Sequence, residues 1–395
     1  MIKKILKLFR IVFLFSFIFS CEQNNEEFIN LDLSIAWNVD SENYGNQRLA
    51  IDEEKERVYV NETWNETMSA IDIKSGKLLW RSDEIIFSGT NAVFDEKYVY
   101  NIGWGVSDKK EVIFVQLDKE TGELIKTKKL GDSREILARM DNLLLYNETL
   151  YWGAKDSHFV HAYNTQDDAD SYKVWGSEDV TADIMGDIVP YNGRLYFVAE
   201  VYPYIDDPKP SRLISMLPDG SDVKELEIPV DFMGVDTNAI QIYEGKLYLN
   251  GTYFICLDPE TFKIEWELKR DEGFYSSYGF TIHEGKIYTA TNINSCDSVF
   301  CIDAKKGKII WQEKLDSSYG TIGYQPQVYR GYVYLPTQSS LIVLNAKSGK
   351  YIGRDERLET GALSLGKTIS YNDLLIVSAP LINKMYAVRM DMHTR

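Results

Sequence analysis

A short phrase returns along this chain roughly every 45 residues, and a fixed period of that size marks one supersecondary unit used many times. It reads Ile242-Tyr243-Glu244-Gly245-Lys246-Leu247-Tyr248, then Ile282-His283-Glu284-Gly285-Lys286-Ile287-Tyr288, then Val328-Tyr329-Arg330-Gly331-Tyr332-Val333-Tyr334. Each copy is an apolar strand, a tight turn and a second apolar strand. Gly193, Gly245, Gly285 and Gly331 fall where a short hairpin needs positive φ. The aromatic spacing of Tyr243 and Tyr248 recurs at Tyr146 and Tyr151, Tyr191 and Tyr196, and Tyr329 and Tyr334. His283 takes the aromatic slot once, Tyr371 leads to Ile376 in the last copy, and Phe94 to Tyr100 is one residue longer.

A second phrase follows the first. Ile71-Asp72-Ile73-Lys74-Ser75-Gly76-Lys77-Leu78-Leu79-Trp80 is echoed by Asp258 to Trp266 and by Asp303 to Trp311. Asp118 to Gly122 and Asn345 to Gly349 keep the turn and lose the tryptophan. Asp or Asn followed by Ser or Thr and Gly is hairpin chemistry: side-chain oxygens bond nearby amides and Gly takes the left-handed position.

Each unit therefore holds four short antiparallel strands, here called A to D. One such sheet cannot bury both faces alone, but sheets stacked radially bury them against each other, which gives a β-propeller. Lys246-Leu247-Tyr248-Leu249 and Tyr332-Val333-Tyr334-Leu335 fit a sheet covered on both faces. Tyr59, Tyr100, Tyr151, Tyr196, Tyr248, Tyr288, Tyr334 and Ile376 mark eight B strands. The last unit lacks an outer strand after Met385 to Arg389, and Ser34-Ile35-Ala36-Trp37 supplies it. The expectation is an all-β, eight-bladed propeller of four-stranded antiparallel blades, its last blade completed by an N-terminal strand, so that no sheet edge is left to aggregate.

The Asp-x-x-Thr-Gly-x-x-x-Trp phrase resembles the repeat of PQQ-like (quinoprotein alcohol dehydrogenase-like) propellers. That family holds both quinone-dependent dehydrogenases and non-enzymatic lipoproteins of the BamB type, and the resemblance covers nearly the whole chain after residue 33. It is specific for fold and weak for function, because propellers host many unrelated activities.

Residues 1–20 read as a secretory signal: Lys3, Lys4, Lys7 and Arg10 precede the apolar run from Ile11 to Phe19, which is short for a membrane span. Ser20-Cys21 resembles a bacterial lipobox, which makes Cys21 the expected lipidation site; an ordinary signal with an incidental Cys is the alternative. Residues 21–33 are the expected tether and 34–395 a single propeller domain. Glu22-Gln23-Asn24-Asn25-Glu26-Glu27 resembles the acidic segment that directs some Bacteroidota lipoproteins to the cell surface, or is a plain linker. Outer-membrane attachment through lipid alone follows, with the periplasmic or external face open.

The net charge is −17, and removal of the signal makes the chain more acidic still. Such a surface is expected to repel nucleic acid and anionic lipid head groups. Of the remaining cysteines, Cys256 and Cys301 share one repeat position and read as small apolar residues, while Cys296 and Cys301 leave a hairpin bridge open. His158 and His161 fall on opposite faces of a strand, which argues against a shared metal. No Gly-x-Ser-x-Gly, His-Glu-x-x-His or phosphate-binding loop is present. The adjacent-cysteine pair of quinone dehydrogenases is also missing, so neither PQQ nor Ca²⁺ is expected.

Binding residues in such a fold sit on the irregular loops. The expected binding face carries Trp64, Trp104, Tyr202, Tyr204, Asp206, Asp207, Tyr278 and Tyr324, with the Pro-rich run from Tyr202 to Pro210 as its longest segment. Exposed aromatics on loops suit protein or sugar contacts, or else pack on one another over the channel. Three functions follow in order: an outer-membrane interaction scaffold with a protein partner, a cell-surface glycan-binding or glycan-processing lipoprotein, and a PQQ-dependent oxidoreductase.

Overall fold

The computed structural model describes residues 31–40, 47–62, 67–83, 86–87, 90–105, 111–132, 143–153, 159–167, 170–176, 182–201, 210–228, 239–269, 279–293, 296–315, 325–337, 340–355, 368–379 and 384–391. Within them lie only strands, from β1 (Ile35–Asp40) to β33 (Lys384–Arg389), and turns; no described helix is long and apolar enough to cross a membrane.

The strands form eight antiparallel blades. Blade 1 spans 47–82, blade 2 86–132, blade 3 143–176, blade 4 182–227, blade 5 240–268, blade 6 280–314 and blade 7 327–355. Blade 8 combines 369–389 with β1, which pairs with β33 and sets Trp37 opposite Ala387 and Asp40 opposite Lys384. The N-terminal strand thus completes the last blade, as the repeat count requires. Blade 2 departs from the pattern: its inner edge is broken into β6 (Ile86–Phe87) and β7 (Val93–Phe94), both paired to β8 (Tyr98–Gly105).

The core has one apolar cluster per blade junction. Tyr59, Trp80, Val99 and Leu117 fill the junction of blades 1 and 2. Trp37, Leu49, Val58, Ile376 and Ala387 fill that of blades 8 and 1, which closes the ring. The eight B-strand marker residues named above are all buried. Burial on both faces explains why these strands read as continuous apolar runs.

The repeated tryptophans are the pins between blades. Trp37 Nε1 donates to the Ile73 carbonyl at 2.8 Å, Trp80 to Lys119 at 3.0 Å, Trp266 to Ala304 at 3.0 Å and Trp311 to Ala346 at 3.0 Å. Each acceptor lies in the C-to-D turn of the next blade, just after the residue that ends strand C. Each ring also lies flat against that turn's glycine. A Cβ on Gly122 would fall 2.5 Å from the Trp80 ring, and one on Gly307 2.4 Å from Trp266. At φ +73° and +64° these glycines serve the turn and the ring together. The B-strand tyrosines reinforce the same points: Tyr248 OH donates to Ala304 at 3.3 Å and Tyr288 OH to Ala346 at 3.4 Å, so each carbonyl receives both a tyrosine and a tryptophan.

The turn aspartates cap the same loops. Asp258 Oδ1 accepts from the Thr261 amide at 3.0 Å and its hydroxyl at 2.9 Å, and these bonds with Lys246 hold the carboxyl down at about 2.

Cys256 and Cys301 are buried free thiols. The bridge left open between Cys296 and Cys301 is not formed. Both residues belong to β25 (Cys296–Asp303), and an extended strand separates residues so placed by about 16 Å, against the ~7 Å limit for a disulfide.

Candidate functional site

Strands B and D end, and strands A and C begin, on one face of the ring, and the irregular connections leave from there. Of the residues expected on that face, Trp64, Tyr202, Tyr204, Asp206, Asp207, Tyr278 and Tyr324 lie outside the described residues, as does Cys21. Trp104 differs from expectation: its backbone is not in a loop but in β8, opposite Val112 of β9 (Glu111–Asp118) and Phe87 of β6.

What is described of this face is a polar lattice that ties inner strands together. Gln241 Nε2 donates to the Phe280 carbonyl at 2.5 Å. Thr281 Oγ1 donates to Pro326 at 2.5 Å and accepts from Gln325 Nε2 at 2.9 Å. Ser370 Oγ donates to Gln327 Oε1 at 2.9 Å. Between blades 1 and 2, Asn61 Nδ2 donates to the buried Thr90 carbonyl at 2.9 Å, and Thr90 Oγ1 donates to Asn101 at 2.8 Å. These amides and hydroxyls are neutral and bonded to one another, so they set the rim's shape rather than offer a nucleophile or a general base.

Two buried polar groups were not legible as a site. The first is an ion pair between blades 1 and 2: Lys119 Nζ lies 2.7 Å from Asp52 Oδ2, with side chains only 4% and 3% exposed. Lys119 also donates to the Asp95 carbonyl at 2.7 Å and sits 4.7 Å over the Phe94 ring. Burial alone would raise the Asp52 carboxyl, but the bonds from Lys119 and the Lys55 amide outweigh it and hold the carboxyl below its ordinary value. The second is His161 on β13 (Phe159–Asn164), stacked 5.4 Å from Trp152 on β12 (Thr149–Gly153). Both side chains are buried, and among the described residues neither His161 Nε2 nor Trp152 Nε1 has a hydrogen-bond partner.

Burial, helped by nearby Lys173, lowers His161 to about 4 from an ordinary 6.5. The folded state thus refuses a proton that the unfolded chain accepts below 6.5. Stability is full above pH 6.5 and is expected to fall by about 3 kcal/mol between pH 6.5 and 4. His161→Phe, which keeps a ring against Trp152, is expected to flatten that window in urea titrations. An unchanged slope would assign it to other groups.

No group of three or more His, Cys, Asp and Glu is arranged to hold a metal among the described residues. Quinone cofactors of this fold need a carboxylate and amide for Ca²⁺ and a free acid as base. Among the described residues no such set is gathered, and Gln241, Gln325 and Gln327 are bonded across the inner strands.

Residues 242–389 match the family model described as outer membrane protein assembly factor BamB. The match falls on blades 5 to 8, which hold the hairpin glycines Gly245, Gly285 and Gly331 and the pinning residues Trp266 and Trp311. The fold of the whole ring is similar to BamB from Moraxella catarrhalis, with TM-score 0.67 and 11% identity over 92% of this chain and 100% of that one. It is equally similar to a europium-containing methanol dehydrogenase, with TM-score 0.68 and 12% identity over 92% and 95% of the two chains. A quinohemoprotein alcohol dehydrogenase from Comamonas testosteroni gives TM-score 0.63 and 11% identity over 93% and 79%. At such identities the likeness is one of fold. Among curated proteins, none matches the chain by sequence.

Proposed function

We propose that this protein is a lipid-anchored propeller that serves as a non-enzymatic protein-docking scaffold at the outer membrane. Residues 1–20 are its signal, Cys21 its lipid attachment, 21–33 its tether and 34–395 its docking domain. The observation that carries the reading is the BamB-type match over residues 242–389 on a ring whose described rim amides and buried ions are bonded to each other. Groups spent on holding blades together leave the irregular connections, with their aromatic and acidic residues, to meet a partner.

Affinity capture of the full chain from detergent-solubilised outer membranes tests this. A stoichiometric membrane-protein partner, lost with Trp104→Ala or Tyr204→Ala, is the expected result. Retardation on polysaccharide gels with no protein partner would favour glycan binding instead. A bound chromophore and dye-linked alcohol oxidation after addition of PQQ and Ca²⁺ would overturn the non-enzymatic reading.

A further inference from the structure

The opposite face of the ring, formed by the regular turns, is uneven in charge. Around blades 1, 2, 4 and 5 several of its cations are paired with carboxylates, Arg57 with Glu120, Lys74 with Glu56, Arg194 with Asp222, and Lys246 with Asp258 and Glu265, while Lys77, Lys97 and Lys263 are exposed one to a blade. The C-to-D turns of blades 6 and 7 differ in the number of their lysines. Lys305, Lys306 and Lys308 are exposed on the first, Lys347 and Lys350 on the second. Of these five, Lys306 alone comes within ion-pair distance of a carboxylate among the described residues, its own turn's Asp303 at 3.7 Å.

The two turns are adjacent, because Trp311 of blade 6 lies against Gly349 of blade 7 and bonds Ala346. Beside them Ile309 and Ile310 are 37% and 47% exposed. The result is a basic, partly apolar patch on a chain of charge −17.

We infer that this patch rests on anionic lipid head groups and sets the orientation of the propeller on the bilayer. The acidic remainder does not forbid it, because charges more than ~8 Å away are screened at physiological salt, and each lysine near an anionic surface adds about 1 kcal/mol, a ~5-fold gain. The chain's own path favours a lipid surface as occupant. The Leu31 amide bonds the Arg354 carbonyl and the Leu33 amide bonds Asp355, so the N-terminal segment joins the ring along the outer strand of blade 7, β30 (Tyr351–Asp355). Ten residues separate Cys21 from Leu31, a reach of at most ~35 Å. An acyl anchor there would keep the bilayer within range of the same blade.

The inference rests on the proposed lipid attachment for this last point, so the experiment omits the lipid. The chain from Glu22 onward, which carries no acyl group, is floated with neutral phosphatidylcholine vesicles and with vesicles holding anionic phosphatidylglycerol. Preference for the anionic vesicles, loss at high salt, and at least tenfold weaker binding with the five lysines changed to Gln are expected. Equal behaviour on both vesicles would overturn it, as would capture of soluble polyglutamate with no vesicle binding, which would assign the patch to an acidic polypeptide. Neither result touches Cys21, whose acylation is read separately by labelled palmitate.

Discussion

Trp80→Ala is expected to lower stability by about 3–5 kcal/mol, the range for removing a large buried aromatic. The side chain is 7% exposed, packs 5.9 Å from Tyr59 and on the Gly122 turn, and donates to the Lys119 carbonyl. Its loss leaves a cavity at the junction of blades 1 and 2 and an acceptor short of one donor. Gly122→Ala attacks the same contact from the other side. Its new Cβ would fall 2.5 Å from the indole, at a φ of +73° that costs an L-residue a further ~1–2 kcal/mol. The double variant separates the effects. Once the ring is gone the methyl has room, so the second substitution should then cost only the backbone term. Urea midpoints of the four proteins measure this coupling, and strict additivity would mean that the ring and the turn do not touch.

Lys119→Met should be nearly as damaging, at about 3–5 kcal/mol, because it strands the Asp52 carboxylate in a buried junction. Lys119→Met with Asp52→Asn is expected to recover much of that loss, since the penalty comes from the unpaired charge. The pH dependence carries a second signature. In the native protein the Asp52 carboxyl is held below its ordinary 3.8. Its contribution is therefore fully present above about pH 4 and fades only as pH falls through the lower folded value. In Lys119→Met the bond from lysine is gone and burial remains, so the carboxyl rises and acid unfolding should begin at higher pH. An acid midpoint shared by the two proteins would show that the pair is not coupled in the folded state.

The architecture was open to reading because it is periodic. Tyr243, Gly245 and Tyr248 each state one local requirement, and repetition turns local statements into a ring. The closing strand was found for the same reason: Trp37 carries the mark of Trp80 and Trp311, and it bonds the Ile73 carbonyl as they bond theirs. What escaped were features that occur once. Lys119 follows the turn aspartate where other copies place Ile73, Pro259, Ala304 or Ala346, and nothing local shows that it turns inward to meet Asp52. His161 was seen as a strand histidine, but its burial against Trp152 depends on the neighbouring blade. Trp104 reads as loop between two glycines, yet pairing with Phe87 and Val112 extends its strand. Tyr202, Tyr204, Asp206 and Asp207 belong to no repeat, so periodicity says nothing of what such residues contact.

The account depends on a ring shut by the two ends of the chain. The direct measurement is oxidation of the Asp40→Cys/Lys384→Cys variant. These positions face each other across β1 and β33, at the Cα separation of ~4.5–5.5 Å that antiparallel partners share and that a disulfide accepts. Mass spectrometry of the folded monomer should find one intramolecular bond between them, and the oxidised protein should melt at higher temperature than the reduced one. Thiols that stay free under oxidant, or that link only one molecule to another, would contradict closure.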